Sequence, residues 1–213
     1  MSPASSHRRT GGATLIEFTL VLLLGVLPLV LAILQIAALL VAHNTVNLAA
    51  FLAARQGAVA HAELDAMRRE LARGLLPLYV PASRGGRSPP ALVARSYATA
   101  WRDVLVLDEL RIETPTRAQA SDLVQARNGV QVIPNDALEY RGSPVQEANV
   151  LTIVVTHCQP LVVPFIGPAL AELLAAFDHE AVHQRCYMMG RAPLRSRASV
   201  VMQSDTLVAM LPD

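Results

Sequence analysis

A long uncharged apolar stretch near the N-terminus limits what this chain can fold into. No Asp, Glu, Lys or Arg stands between Phe18 and Ala54. This is more than the ~20 apolar residues that cross the hydrocarbon core of a bilayer. The mean hydropathy of +0.37 is high for a soluble globule, and this stretch accounts for much of the excess. The sequence therefore predicts a segment that spans or anchors in a membrane.

The helical pattern continues beyond the length that a bilayer needs. The sequence after Leu39 is rich in Ala and Leu and contains no helix breaker before Gly57, so one helix is predicted from about Thr14 to about Ala60. Such a helix is ~70 Å long, roughly twice the bilayer core. We predict that residues 15–41 cross the membrane, that Pro28 kinks the helix, and that the remainder projects or packs against other helices.

The N-terminal charges predict the orientation of this helix. Arg8 and Arg9 are the formal side-chain charges of residues 1–12, and basic residues before a first span favour a cytoplasmic N-terminus with the C-terminal part exported. The apolar stretch is too long for a cleaved secretory signal, whose apolar region has only ~7–15 residues. A plain anchor explains the length but not Glu17, because a carboxylate inside a membrane segment is costly and generally functional. Glu17 therefore predicts a partner charge.

Composition excludes several classes of function. The net charge is only +1 and aromatic residues make up 4% of the chain, which provides neither the basic surface nor the stacking side chains of a nucleic-acid-binding protein. All 18 basic residues are Arg. A phosphate-binding lysine loop, a Schiff-base lysine and a Ser-Lys nucleophile pair are therefore excluded.

The remainder of the chain, residues 61–213, predicts a small α+β domain with an antiparallel sheet. Helical periodicity indicates helices over 61–75, over 91–101 and from Pro168 onward. Trp101 is expected to anchor the second helix in the core. The apolar stripe of the third consists of Leu170, Leu173, Leu174 and Phe177. Residues 110–114, 149–158 and 194–203 are β-branched or alternating and indicate strands. Residues 81–90 are rich in Gly, Pro and Ser and indicate a loop.

Two side-chain patterns in this domain suggest specific chemistry. Cys158 and Cys186 lie in the same C-terminal third, and a disulfide is the plain interpretation if that part is exported. His179-Glu180-Ala181-Val182-His183 matches H-E-x-x-H, in which two histidines bind zinc and the Glu acts as general base. No His or Glu follows His183 as a third ligand, and on a continuous helix both histidines would face solvent, away from the apolar stripe. We therefore expect no cofactor, and a membrane-anchored zinc hydrolase remains an alternative.

Several stretches resemble a known family. The sequence R-R-T-G-G-A-T-L-I-E-F-T-L-V-L resembles the cleavage and assembly region of type IV pilin-like precursors, specifically the TadE-like minor pilins (pseudopilins) of tight-adherence pilus systems. The segment A-A-F-L-A-A-R-Q-G-A-V resembles the one that follows the membrane helix in that family, and V-I-P-N-D-A-L-E-Y-R, Q-E-A-N-V-L-T-I-V-V-T and R-A-P-L-R-S-R-A-S-V-V-M-Q-S are similar to its later stretches. Thr156-His157-Cys158 departs from the aromatic strand end expected there.

The resemblance implies a role for each N-terminal residue that it matches. Gly12 would end a cytoplasmic leader of residues 1–12 and be recognised by a prepilin peptidase, and Ala13 would become the new N-terminus of a helix over 13–60. Glu17 would pair with the N-terminal amine of a neighbouring subunit, since two opposite charges in a low-dielectric bundle cost less together than alone.

The same resemblance implies a place and partners. The chain would be a single-pass protein of the inner membrane with residues 61–213 in the periplasm, and would act in pilus biogenesis and adhesion without catalysis of its own. Its partners would be the prepilin peptidase, other pilin subunits, the tight-adherence inner-membrane platform and membrane lipid. A single-pass periplasmic scaffold in which Glu17 is incidental is a second alternative.

Overall fold

A computed structural model describes residues 13–81, 89–121, 123–135 and 149–212. The long N-terminal helix is confirmed: α1 (Ala13–Val21) continues through a π-helical segment (Leu22–Val26) into α2 (Leu27–Val59). The part from Leu15 to Val59 is long and apolar enough to cross a membrane.

The π-helical segment directly precedes Pro28, which stands in the first turn of α2. A proline inside a helix removes one amide hydrogen bond, and its ring collides with the carbonyl four residues earlier. A π-helical turn joins residues five apart instead of four, and so changes the spacing between the proline ring and that carbonyl. The sequence predicted a kink at Pro28, and the structure has a π-helical segment in the turn before this residue.

The two halves of the long helix have different surroundings. Residues 15–34 include no buried side chain, and the first buried residue is Gln35. From there the buried positions recur every three or four residues on one face: Ala42, Val46, Ala49, Ala50, Ala53, Ala54, Gly57 and Ala58. Because nearly all of these are small, the α+β head approaches the helix backbone closely.

Two helices cover the upper half of α2. The amphipathic helix predicted over 61–75 is α3 (Leu64–Gly74), which buries Met67 and Leu71 as expected and begins later because His61 and Ala62 adopt positive φ in the preceding turn. A Cβ added at Gly74 would lie 2.7 Å from the Cα of Ala49. Glycine at position 74 therefore sets how closely α3 packs on α2.

The next helices lead into the sheet. α4 (Leu76–Tyr79) is one turn long, and α5 (Pro89–Val106) begins earlier and ends later than the predicted helix over 91–101. Most of the loop predicted over 81–90 lies outside the described residues. Trp101 is only half-buried and packs at the edge of the core.

The main sheet is antiparallel with strand order β1-β4-β5, formed by β1 (Glu109–Thr114), β4 (Val150–Pro160) and β5 (Arg191–Val201). The three predicted strands are therefore confirmed. The β4–β5 register is continuous from the Val150–Val201 pair to the Pro160–Arg191 pair. Every residue from Leu151 to Cys158 is buried; Leu151, Ile153 and Val155 pack into the same core as α2 and α3. β5 alternates between buried and exposed residues as predicted.

A second antiparallel sheet was not predicted from the sequence. It has the order β2-β3-β6 and consists of β2 (Gln125–Arg127), β3 (Val130–Ile133) and β6 (Thr206–Leu207), with the short helix α6 (Arg117–Ala120) before it. Ile133 and Leu211 form its small core.

The last two helices correct the prediction for the Pro168 region. α7 (Ile166–Phe177) and α8 (Ala181–Met188) are separate. The residues that α7 buries are Gly167 and Ala171, whereas Leu173 and Phe177 of the predicted stripe are 56% and 80% exposed. An added Cβ at Gly167 would lie 3.0 Å from the Cβ of Leu161. The small-residue face therefore packs closely inward, Leu170 and Leu174 of the predicted stripe are partly buried, and Leu173 and Phe177 face outward.

Candidate functional site

The residues to which the resemblance assigns processing and assembly are Gly12, Ala13 and Glu17, at the start of the long helix. Gly12 is outside the described residues, and Ala13 is the first residue of α1. Glu17 lies four residues further along this helix and is exposed among Leu15, Ile16 and Phe18, which are also exposed. In the part of the chain that the structure describes, Glu17 has no hydrogen-bond or ion-pair partner. The site is thus a carboxylate on an uncovered apolar helix.

The spacing of Ala13 and Glu17 limits what this carboxylate can pair with. Residues four apart in an α-helix lie on the same face, ~6 Å apart along the axis. An α-amine at Ala13 would therefore lie at nearly the same membrane depth as the Glu17 carboxylate. In two copies packed side by side, the amine of one copy would then be level with the Glu17 carboxylate of the other.

The two cysteines meet in the head. Cys158, near the end of β4, forms a disulfide with Cys186 of α8, with the Cα atoms 5.3 Å apart. Both residues are fully buried. The bond joins α8 directly to the central strand of the main sheet.

A buried polar cluster that sequence reasoning missed surrounds this disulfide. Asp103 of α5, 1% exposed, accepts hydrogen bonds from the Tyr79 hydroxyl (3.0 Å) and from the guanidinium groups of Arg191 (3.1 Å) and Arg102 (3.0 Å). Arg191 also donates to the backbone carbonyl of Cys158 at 3.0 Å. The cluster therefore connects α4, α5, β4 and β5 through one carboxylate.

Charge and burial act in opposite directions on the pKa values of this cluster. Burial raises the pKa of Asp103, but the hydrogen bonds from Arg102, Arg191 and Tyr79 outweigh it, and the net pKa is lowered. Burial, followed by the nearby carboxylates of Asp108 and Asp103, raises the pKa of Tyr79 well above its usual value. The cluster therefore holds an ionised aspartate against a neutral tyrosine.

A second buried carboxylate lies beside the first. Asp108 accepts hydrogen bonds from the His157 ring at Nδ1 (2.8 Å) and from the backbone N–H of Cys158 (3.1 Å). The His157 ring is fully buried and lies edge-on to Tyr79, with the ring centroids 6.3 Å apart, and its Nε2 has no hydrogen-bond partner among the described residues. This carboxylate therefore joins the His157 side chain to the backbone of the neighbouring Cys158.

The sequence contained a signal for part of this cluster. The buried face of α5 consists of Leu92, Ser96, Ala100, Asp103 and Val104. An aspartate on an otherwise apolar or small-residue stripe requires a buried partner. Thr156-His157-Cys158, which departs from the family pattern, contributes to the same region. The contacts with Tyr79 and Arg191 could not be predicted because they join residues far apart in the chain.

The H-E-x-x-H string does not lie on one helix, which corrects the premise of a continuous helix. α7 ends at Phe177, so His179 and Glu180 precede α8 while His183 lies within it. His183 is also partly buried rather than facing solvent, and its Nδ1 lies 2.7 Å from Asp178 Oδ2. In the described part of the chain, no group of three or more His, Cys, Asp or Glu residues is arranged to hold a metal ion.

Asp178 organises the turn that separates these residues. It accepts hydrogen bonds from the backbone N–H of Glu180 (3.1 Å) and from the Tyr187 hydroxyl (3.0 Å). The backbone hydrogen bond from Glu180, with those from His183 and Tyr187, lowers the pKa of Asp178 despite partial desolvation. Burial and the bond to Asp178 raise the pKa of Tyr187 to about 12. The His183 ring therefore lies between two carboxylates, with Nδ1 on Asp178 and Nε2 3.4 Å from Oε2 of Glu180.

The chain matches no family model, no curated protein and no solved structure. Among the residues that the structure describes, one helix is long and apolar enough to cross a membrane, and an α+β head packs on the upper half of that helix.

Proposed function

We propose that this protein is a TadE-like minor pilin that is cleaved between Gly12 and Ala13 by a prepilin peptidase and acts in the biogenesis of a tight-adherence pilus. The observation that carries the proposal is Glu17: an exposed carboxylate on a helix surface that is otherwise apolar. A charge in that position is unfavourable in lipid and needs an opposite charge. Cleavage before Ala13 creates one, because the new α-ammonium lies one helical turn from Glu17.

The two-part helix supports the same proposal. Residues 15–34 carry no buried side chain, whereas one face of the helix from Ala42 to Ala58 is buried by the head. A bare apolar segment suits both a membrane and a bundle of like helices. The head would then be displayed at the surface of the assembly or at its base in the inner membrane.

The buried disulfide supports export of the head. Disulfides form and persist in oxidising compartments such as the periplasm, and Cys158 is joined to Cys186 in the head. Arg8 and Arg9 favour a cytoplasmic leader on the other side of the membrane. The proposed topology is a single pass with the N-terminus in the cytoplasm.

The first test determines the N-terminus of the native protein. The chain contains no lysine, so an amine-reactive reagent modifies the α-amino group alone and the labelled peptide identifies the first residue. We expect Ala13 as that residue, and replacement of Gly12 by Leu should leave an uncleaved chain, whereas Ser5→Leu in the same leader should not. A native protein that begins at Met1 or Ser2 contradicts the proposal.

The second test separates processing from assembly. Glu17→Gln removes the charge with little change of shape, and we expect normal cleavage but loss of crosslinking between subunits and of pili. Thr19→Val is the matched control, because it changes polarity in the same exposed helix without changing charge. If Glu17→Gln assembles like the wild type, Glu17 is incidental and the scaffold alternative is preferred.

A further inference from the structure

One end of the head carries a cluster of exposed apolar side chains that we name the apolar tip. It consists of Val162, Phe165, Leu173, Phe177 and Met188, which are 56–84% exposed. The first four lie in or directly before α7, and Met188 ends α8. Contiguous exposed apolar surface of this kind marks an interaction site.

The apolar tip lies beside the membrane helix at a defined height. The backbone N–H of Val163 donates a 2.9 Å hydrogen bond to the side-chain oxygen of Gln35. Gln35 is 1% exposed and is the first buried residue of the long helix. Pro28, Leu31 and Ala32, one to two turns earlier on the same face, are partly buried. The segment that carries Val162 and Phe165 of the tip is therefore held to the helix at Gln35, between these two residues, and not further along toward Val59.

The helix below Gln35 is long enough to cross a membrane without the residues up to 41 that the sequence prediction included. Residues 15–34 extend about 30 Å at 1.5 Å per residue, and the hydrocarbon core of a bilayer is about 30 Å thick. With Glu17 near the inner boundary, Gln35 falls at the outer boundary. The apolar tip is then level with the outer headgroups and upper acyl chains.

The opposite end of the head lies far from this level. The backbone N–H groups of Gln203 and Ser204 both donate to the carbonyl of Ala58, which is roughly 35 Å along the helix from Gln35. β4 and β5 cover a similar distance, because their paired stretch from Val150 to Pro160 extends about 36 Å. The strands thus run alongside the helix, with the apolar tip at the end nearest the membrane.

We propose that the apolar tip inserts into the outer interfacial layer of the same membrane that the N-terminal helix crosses, as a second, non-spanning membrane contact. α7 is apolar but too short to span. It packs its small residues Gly167 and Ala171 inward and directs Leu173 and Phe177 outward. Interfacial helices bury such a face roughly 5–10 Å deep at the boundary of headgroups and acyl chains.

The backbone at Phe165 supports this assignment independently. Phe165 has φ +66°, and the N–H of Ile166 donates to the carbonyl of Pro164 at 2.8 Å to close a three-residue turn around it. Positive φ is unfavourable for a bulky residue, whereas glycine adopts it freely. The Phe165 side chain is 84% exposed and gains little from packing within the head. Strain of this kind concentrates at functional positions.

The test uses the full chain in vesicles of phosphatidylethanolamine and phosphatidylglycerol, with a diazirine-bearing phenylalanine placed singly at chosen positions. Probes at Phe165 and Phe177 are expected to yield lipid adducts by mass spectrometry. A probe at Leu23 reports on the span, and a probe at Val201, itself 60% exposed but at the opposite end of the head, is the matched control. We expect lipid adducts at Phe165, Phe177 and Leu23, and none at Val201.

This inference depends on the proposed function only through the membrane span, and the outcomes of the experiment separate the two. The inference is overturned, and the span left intact, if the probe at Leu23 forms lipid adducts while the probes at Phe165 and Phe177 react only with water. Protein–protein adducts at Phe177 also overturn it, since the occupant is then another copy of the chain. Absence of lipid adducts at Leu23 overturns the span and the inference together.

Discussion

Removal of the disulfide provides a quantitative test of how the head is held together. Cys158→Ala combined with Cys186→Ala opens a loop whose ends are 28 residues apart. In the chain-entropy description, the crosslink lowers the entropy of the unfolded chain by 2.1 + 1.5R ln n cal/mol/K, which is about 12 cal/mol/K for this loop and about 3.6 kcal/mol at 25 °C. We expect the double variant to lose about this much free energy of unfolding, because the crosslink then no longer restricts the unfolded chain.

The measurement uses the single tryptophan as its probe. Trp101 packs at the edge of the core, so its fluorescence reports urea unfolding of the head in the full chain held in a mild detergent. With an m-value of ~2 kcal/mol/M, the midpoint should fall by about 2 M. Wild-type protein treated with a reductant while unfolded and then refolded under reducing conditions is the control, and should show the same shift.

A loss below about 1 kcal/mol at an unchanged m-value would refute the reasoning, because the crosslink would then not restrict the unfolded chain as the loop length requires. Mass spectrometry of the non-reduced native protein checks the premise. Two free thiols in the native protein would mean that the head is not held by this bond in the cell.

Three further results follow from single positions. Gly74→Ala places a Cβ 2.7 Å from the Cα of Ala49 and should cost about 1–3 kcal/mol in the same urea assay, whereas Gly25→Ala, where an added Cβ meets no atom within 4 Å, should cause no such loss. Phe165→Gly should raise the free energy of unfolding by about 1 kcal/mol, since it relieves a positive φ; a decrease would argue against strain there. Burial raises the pKa of Tyr79, so the folded state holds the phenolic proton more tightly than the unfolded state. That stabilisation is complete below about pH 10 and is lost as the pH rises further. Above this pH, the urea midpoint of Tyr79→Phe should therefore fall less steeply with pH than that of the wild type. Parallel pH curves for the two proteins would contradict the assignment.

The sequence predicted the elements whose signal is local. The long helix follows from an apolar segment without breakers, and the three strands of the main sheet follow from β-branched or alternating residues. The second sheet was missed because its strands have only two to four residues. Strands this short lack the length over which a period of two can be recognised.

The errors near the C-terminus arose from tertiary packing and turn chemistry. The predicted stripe of α7 assumed that leucines and phenylalanine pack inward, but close approach to Leu161 favours Gly167 and Ala171 on the inner face. The assumption of one helix through His179 neglected Asp178, whose carboxylate accepts a hydrogen bond from the backbone N–H of Glu180. Aspartate competes for backbone N–H groups in this way and favours turns over helix interiors.

The alanine-lined interface between the upper helix and the head determines how the molecule responds to tension. Its buried residues extend along one face from Ala42 to Ala58, and β4 and β5 run beside the same part of the helix. A pull on the N-terminal end along the helix axis would therefore stress all these contacts at once, in shear, instead of peeling them apart one after another. The π-helical segment (Leu22–Val26) lies between the point of pulling and this joint. A load on the membrane helix therefore passes through this segment before it reaches the head, and the contacts of the head then share it along the whole joint.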